Sequence, residues 1–216
     1  MKTLIAVPCF DMVHTDFMRS LIDLEKPEGT VYTVVKNTLI YNARNTIAGN
    51  AIKKGFDRVL FLDSDLDFPA DTLKRLSADM DAGCEFVSGL YFQRRPNPKP
   101  IVYDQVQWEV LRDGNVQAGA SWYFDYPKDT LFECQGFGFG CVMVSVDVLK
   151  KVADKYGAPF TPLMGLGEDL TFCYRARKLG AKLHCDSRIK CGHIGSVIFN
   201  EEDYNPKYWG EATGNY

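Results

Sequence analysis

The sequence predicts one α/β domain over residues 1–216: a central, mostly parallel sheet with helices on both faces and an antiparallel hairpin insertion. Three observations predict it. Apolar, partly β-branched runs at Thr3–Pro8, Val31–Val35, Val59–Leu62 and Glu85–Leu90 are separated by loops or by stretches with helical spacing, the order that right-handed crossovers produce. The third run ends in carboxylates at every second position, Asp63, Asp65 and Asp67, at the strand end where ligands sit in such sheets. Residues 93–133 change character: two β-rich runs flank Asp113-Gly114-Asn115, a hairpin signal.

Thr3–Pro8 is the first strand, its apolar run too short for a signal peptide, and it leads into a polar loop through Cys9, Phe10 and Asp11. After the second strand, Ala43, Ile47, Ala48, Ala51 and Ile52 recur at helical spacing within Tyr41–Lys54, and Gly55 sits where that helix would end. Pro69 opens a further helix running to Met80. The Pro-rich, basic loop Arg94–Pro100 precedes the hairpin runs Gln107–Leu111 and Val116–Tyr123. Residues 93–133 are rich in aromatics, Trp108, Trp122, Tyr123, Phe124 and Tyr126, which suit stacking on a ring or packing in a core. Gln135–Gly140 alternates glycine and phenylalanine before the strand Cys141–Val144; it reads either as a tight, close-packed turn or as the lining of a ligand pocket. Ser145 is placed to cap a helix with apolar face Val148, Leu149, Val152 and Tyr156. Gly165-Leu-Gly167 leads into Glu168-Asp169, an acidic pair opening a helix that ends at Gly180. Lys182–His184 and Arg188–Cys191 read as two short strands before Gly192-His193. The tail from Phe199 shows no periodicity.

With 46% apolar and 25% charged residues, 216 residues suffice for one sizeable core. A net charge of −3 gives no general attraction to nucleic acid or to an anionic membrane, and no apolar run is long enough to span a bilayer. Seven cysteines, an odd number without a Cys-x-x-Cys pair, fit free thiols in a reducing cytoplasm. His184-Cys185 and Cys191-Gly192-His193 match no usual zinc spacing.

Carboxylates crowded at a buried strand end repel one another and lose solvation unless a cation balances them. Mg²⁺ and Mn²⁺ take oxygen ligands, often one or two carboxylates plus substrate phosphates. A calcium loop beginning at Asp63 would need glycine at its sixth position and glutamate at its twelfth, which hold Phe68 and Lys74. A phosphatase with a nucleophilic aspartate usually carries its Asp-x-Asp on the first strand, and here two strands come earlier. That reading and a non-catalytic sugar-binding module stand as the alternatives.

The ordered set Pro8–Asp11, Tyr41-Asn-Ala-Arg44-Asn45, Phe61-Leu-Asp63-Ser-Asp65, Gly167-Glu168-Asp169 and Gly192-His193 resembles the nucleotide-sugar glycosyltransferases of the GT-A (Rossmann-like) fold, especially small bacteriophage and virus members. The resemblance spans nearly the whole chain. It implies a hexosyltransferase-like enzyme moving a sugar from a nucleoside-diphosphate donor, a UDP-sugar foremost, to an acceptor hydroxyl, with inversion favoured. The acceptor is open: a glycan, a lipid-linked sugar, a protein or a modified nucleobase, with the aromatic insertion over residues 93–133 as the acceptor side that the resemblance leaves room for. The resemblance further implies a Mn²⁺ or Mg²⁺ ion held by the Asp-x-Asp residues Asp63 and Asp65 with His193. Pro8, Asp11, Arg44, Asn45, Asp63 and Ser64 fall on the donor side, and Asp169, with Glu168 beside it, takes the place of the catalytic base. Asp67 lies outside this minimal set, as a supporting partner or a helix cap.

Overall fold

The computed structural model describes residues 1–195, 198–205 and 207; the tail's residues 206 and 208–216 lie outside them. The chain runs β1 (Thr3–Pro8), α1 (Thr15–Asp23), β2 (Val31–Val35), α2 (Ile40–Lys53), β3 (Arg58–Leu62), β4 (Leu66–Asp67), α3 (Thr72–Asp81) and β5 (Phe86–Leu90). It continues through β6 (Val102–Val110), β7 (Val116–Trp122), β8 (Leu131–Cys134), β9 (Gly136–Phe137), β10 (Cys141–Ser145), α4 (Val146–Tyr156) and α5 (Glu168–Lys178). β11 (Leu183–Lys190), β12 (Gly192–Ile194), β13 (Ile198–Phe199) and a 3₁₀ turn at Glu201–Asp203 close it.

Seven strands form the main sheet in the order β2-β1-β3-β10-β5-β11-β8. β1, β2, β3, β5 and β11 point one way; β10 and β8 run against them. One sheet face buries α2, α4 and α5 through Ile47, Ala51, Leu149, Val152, Phe172 and Ala176. The other buries α1 and α3 through Phe17, Leu73 and Leu76. Helices therefore cover both faces, which is why β1, β3 and β5 are buried along their whole length.

Parallel strands put their carboxyl ends on one edge, and an antiparallel strand brings its amino end there. Pro8, Leu62, Leu90 and Lys190 end β1, β3, β5 and β11 at this edge, and Cys141, which starts β10, pairs with Leu62. The glycine-phenylalanine run therefore arrives beside the acidic turn. A second sheet, β13-β12-β4, pairs Gly192 with Asp67 and His193 with Leu66, folding the end of β11 over the Asp63–Asp67 turn. The hairpin β6-β7 and β9 form a third sheet.

Several sequence expectations change in detail. Thr15–Asp23, read as polar loop, is a helix whose Phe17 and Ser20 are buried. Lys182–His184 and Arg188–Cys191 merge into one strand, β11, with a register shift between Asp186 and Lys190. Leu131–Cys134 belongs to the main sheet and not to the insertion, and β6 begins at Val102, ahead of Gln107. The cap by Ser145 is present, its Oγ accepting from the Val148 N–H. All seven cysteines are free.

Candidate active site

The acidic turn after β3 is held by its backbone. The Asp63 N–H donates to the Gly140 carbonyl (2.8 Å), His14 N–H to the Ser64 carbonyl (3.2 Å), and Ile194 N–H to the Asp65 carbonyl (2.7 Å). Three distant segments thus fix three consecutive residues, leaving their side chains to be aimed separately.

Asp63 turns inward. Both its oxygens accept from Nη2 of Arg44, at 2.9 and 3.1 Å, while Arg44 Nη1 donates to Glu168 Oε1 at 2.7 Å. Arg44 is only 3% exposed, lies over the Phe139 ring and has no partner for Nε. It is a buried brace between α2, the β3 end and the start of α5. Burial raises the Asp63 carboxyl above its usual range, the Arg44 charge opposing this and Asp65 adding to it.

Asp65 turns the other way. Its Oδ2 lies 2.9 Å from Arg94 Nη1 in an ion pair, that nitrogen donating to the Ile194 carbonyl at 3.4 Å, and 3.7 Å from His193 Nε2. Burial works to raise the Asp65 carboxyl, but hydrogen bonding and charge from His193, with the Arg94 charge, carry it below its usual range. His193 Nδ1 lies 2.7 Å from the Phe92 carbonyl, which can only accept, so Nδ1 carries a hydrogen. A charged ring therefore offers Asp65 a donor at Nε2, whereas a neutral ring turns a lone pair towards it.

Asp169 opens α5 beside Glu168. Its Oδ1 accepts from the Leu170 N–H (2.7 Å), and burial, with the neighbouring Glu168 charge, pushes its carboxyl up to about 6. Glu168 is committed to Arg44, so the two acids of the pair stand in different situations.

Between the β1 end and the start of α2 lies a cleft of about 360 Å³, lined by Pro8, Cys9, Phe10, Thr38, Leu39, Ile40, Ala43 and Asp63–Asp65. Phe10 and Leu39 are 71% and 60% exposed there, apolar surface left open at a charged site. A larger cavity, about 530 Å³, lies between β6-β7 and α5 near Trp108 and Tyr174, away from the carboxylates. We place the site by the convergence of charged groups, which chemistry needs, and not by volume.

The structure brings together Pro8, Asp63, Ser64 and Asp65 in the cleft, and Arg44, Glu168 and Asp63 in one ion-pair network. Asp11 is exposed on the loop beyond β1. Asn45 lies apart: its Oδ1 accepts from the Phe160 N–H, tying α2 to the segment before α5. Asp67 accepts from Ser20 Oγ at 2.6 Å and so supports α1. Among the described residues no three His, Cys, Asp or Glu side chains gather closely enough to enclose an ion. Among the described residues, Arg94 and the cleft residue Leu39 were not singled out as site residues by the sequence, and the position of Arg94 beside Asp65 carries no motif.

No family model matches the chain, and no curated protein matches it. Solved structures do. The crystal structure of A197 from STIV aligns over 90% of this chain and 86% of its own, with 18% identity and a TM-score of 0.67. GalNAc-T7, solved with UDP, GalNAc and Mn²⁺, aligns over 95% of this chain at 13% identity and a TM-score of 0.57. Residues 1–349 of S. aureus TarS, in complex with UDP-GlcNAc, align over 87% of this chain at 17% identity and a TM-score of 0.51. The chain spans 46% of the GalNAc-T7 chain and 56% of that TarS chain. At these identities the likeness is one of fold: the chain has the GT-A, Rossmann-like architecture.

Proposed function

We propose that this chain is a metal-dependent glycosyltransferase that moves a sugar from a nucleoside-diphosphate donor, a UDP-sugar foremost, to an acceptor hydroxyl with inversion. The observation that carries the reading is the convergence at one sheet edge of Asp65, His193 and the Arg44-braced acids, beside a cleft with apolar walls. GalNAc-T7 and TarS, which share the fold, were solved with UDP and with UDP-GlcNAc.

The residues fit a divalent cation. Four carboxylates (Asp63, Asp65, Glu168, Asp169) face two guanidiniums (Arg44, Arg94), an excess of two negative charges when all are ionised. The 3.7 Å between Asp65 Oδ2 and His193 Nε2 is within the roughly 4.2 Å that two metal–ligand bonds of about 2.1 Å can span. Asp65 and His193 would hold Mn²⁺ or Mg²⁺, with substrate phosphates completing the shell; Asp63 would join only on leaving Arg44. Such an ion stabilises negative charge developing on a departing diphosphate.

The protein's own groups divide the remaining work. Phe10, Leu39 and Pro8 offer apolar walls for a nucleobase, and Asp11, exposed on the loop that follows β1, would meet its polar edge. Arg44 holds Asp63 and Glu168 in place through its two ion pairs. Asp169, raised to about 6, is a stronger base than an ordinary aspartate and is still ionised at neutral pH, so it takes the acceptor hydroxyl's proton. A phosphatase would need Asp63 free as nucleophile, but both its oxygens are engaged by Arg44.

Thermal denaturation with UDP and UDP-sugars, in Mn²⁺ or in a chelator, tests this reading. A ligand specific to the native state raises the melting temperature according to RT ln(1 + [L]/Kd). The expected shift is clearly larger with Mn²⁺. Equal shifts would remove the metal, and no shift with any nucleotide would remove the donor class.

A further inference from the structure

Arg94 lies in none of the motifs, yet it makes the shortest contact to the carboxylate proposed to hold the metal. Its Nη1 is 2.9 Å from Asp65 Oδ2, the same oxygen that faces His193 Nε2. The guanidinium is 47% exposed and the carboxylate 26%, so the pair sits at the mouth of the site, where an arginine can move at little cost. Its anchor is firm. Phe92 bridges to Pro100, Gln93 N–H donates to the Lys99 carbonyl (3.0 Å), and Asn97 adopts a left-handed φ of 51°. Phe92, which starts this closed turn, is also the residue whose carbonyl orients His193. One turn therefore delivers both the imidazole and the arginine to Asp65.

A divalent ion on Asp65 Oδ2 and the Arg94 guanidinium repel each other at such range. A diphosphate arriving with the ion supplies oxygens that suit a planar guanidinium, which binds phosphate in bidentate fashion. Resting on the reading above, we infer that Arg94 is an exchangeable plug: it occupies Asp65 in the ligand-free protein and passes to the donor diphosphate when the metal binds. Metal and diphosphate are then coupled through one side chain. The free protein takes up the ion poorly, and the diphosphate raises metal affinity by removing the competitor. Coupling of this kind is reciprocal, so the ion must raise diphosphate affinity by the same factor.

The test uses Mn²⁺ binding, read as loss of the free-ion electron paramagnetic resonance signal, for the full chain alone, with UDP, and with inorganic pyrophosphate. Arg94→Gln removes the charge at an exposed position and keeps much of the length; Arg94→Lys keeps the charge but not the fork. Arg94→Gln is expected to bind Mn²⁺ alone about two- to fivefold tighter than the parent, as loss of a partly exposed ion pair allows. The enhancement of Mn²⁺ affinity by UDP and by pyrophosphate should shrink by a similar factor, with Arg94→Lys in between. Unchanged or weaker Mn²⁺ binding by Arg94→Gln, or an undiminished enhancement, overturns the plug, as does failure of both proteins to take up Mn²⁺ under any condition. If pyrophosphate shows the Arg94-dependent coupling and UDP adds nothing to it, the exchange stands and the nucleotide-sugar reading falls. If UDP and Mn²⁺ cooperate without regard to Arg94, the reading stands and the exchange falls.

Discussion

Asp169 is kept in surroundings that oppose its own charge. Burial, the Glu168 carboxylate and more distantly Asp63 raise its carboxyl, Arg44 and one backbone N–H only partly offsetting them, and the outcome is about 6 against 3.8. The sign of the stability effect follows from proton binding. The folded state holds this proton more tightly than the unfolded chain, so the group's contribution falls as pH rises from about 4 to about 6 and stays unfavourable above. Asp169→Asn keeps the shape and the acceptor for the Leu170 N–H but removes the charge. It should therefore stabilise the protein at pH 7.5 by about 1–3 kcal/mol, with no gain at pH 4. Turnover should drop by roughly 10²–10⁴, the usual worth of a positioned base, while donor affinity holds. The parent's kcat should decline as pH falls through about 6. Denaturation at the two pH values and a pH–rate profile check all three, and a variant that is neither more stable nor slower would strip Asp169 of the role. A stabilising change that abolishes activity is what a base kept at a cost to stability predicts.

At the scale of elements, the alternating run Gly136–Gly140 shows how a strand and its neighbour fix the site. Phe137 and Phe139 are buried in the core, where Phe139 packs edge-on to Phe61 and Phe172. Gly138 and Gly140 face Tyr91, whose hydroxyl accepts from the Gly140 N–H at 3.0 Å. A Cβ on Gly138 would stand 2.1 Å from that hydroxyl and 2.7 Å from Ile101 Cγ2. Of the two sequence readings, close backbone approach is the one the contacts support, and it bears on the site because Gly140 holds the Asp63 N–H. Gly138→Ala should cost about 1–3 kcal/mol by overpacking and weaken donor binding as β10 shifts. Tyr91→Phe alone should cost about 1 kcal/mol, since it orphans a buried N–H. The double variant should be more stable than the sum of the two, by about 1 kcal/mol or more, because the hydroxyl is the nearest clash. Urea titrations of the three variants decide it; strict additivity would mean that the clash is relieved elsewhere. These contacts were only half legible in advance. A glycine every second residue announces close approach, but not that the approaching group is Tyr91. The helix Thr15–Asp23 was within reach, since Phe17, Leu21 and Leu24 recur at helical spacing, but its short length and polar flanks hid it. The β4–β12 pairing was not, because two residues of β4 carry no pattern, yet it is what sets His193 beside Asp65.

Over the whole molecule, the site is assembled from chain segments that have nothing to do with one another in sequence, and Arg44 joins them. It sits 19 residues before Asp63 and 124 before Glu168, fully inside the fold, with its guanidinium shared between them. The parallel strands and the carboxylates at the sheet edge could be read from apolar runs and their spacing, but not the strand order, which sets β10 antiparallel between β3 and β5. That Arg44 would turn inward as a brace, and Arg94 outward to Asp65, could not, because a cation's spacing along the chain does not say which carboxylate it will meet. Removing one partner of a buried pair leaves the other charges uncompensated, a penalty usually of about 3–5 kcal/mol. Arg44→Met keeps much of the apolar stem and deletes the charge, so near neutral pH it should cost that much. The pH dependence distinguishes lost charge from lost packing. Without Arg44, burial and mutual repulsion raise the Asp63 and Asp169 carboxyls further, in the direction burial already drives them. The folded variant then gains protons that the unfolded chain lacks, and its deficit relative to the parent must widen as pH rises from about 4.5 to 7.5. Adding Glu168→Gln to Arg44→Met removes one of the stranded charges without touching Asp169 and should recover part of the loss. Urea denaturation of the parent, the single and the double variant at both pH values measures each quantity. A deficit that is the same at pH 4.5 and 7.5 and untouched by Glu168→Gln would make Arg44 a space-filler, and the ionic brace across the sheet edge would have to be given up.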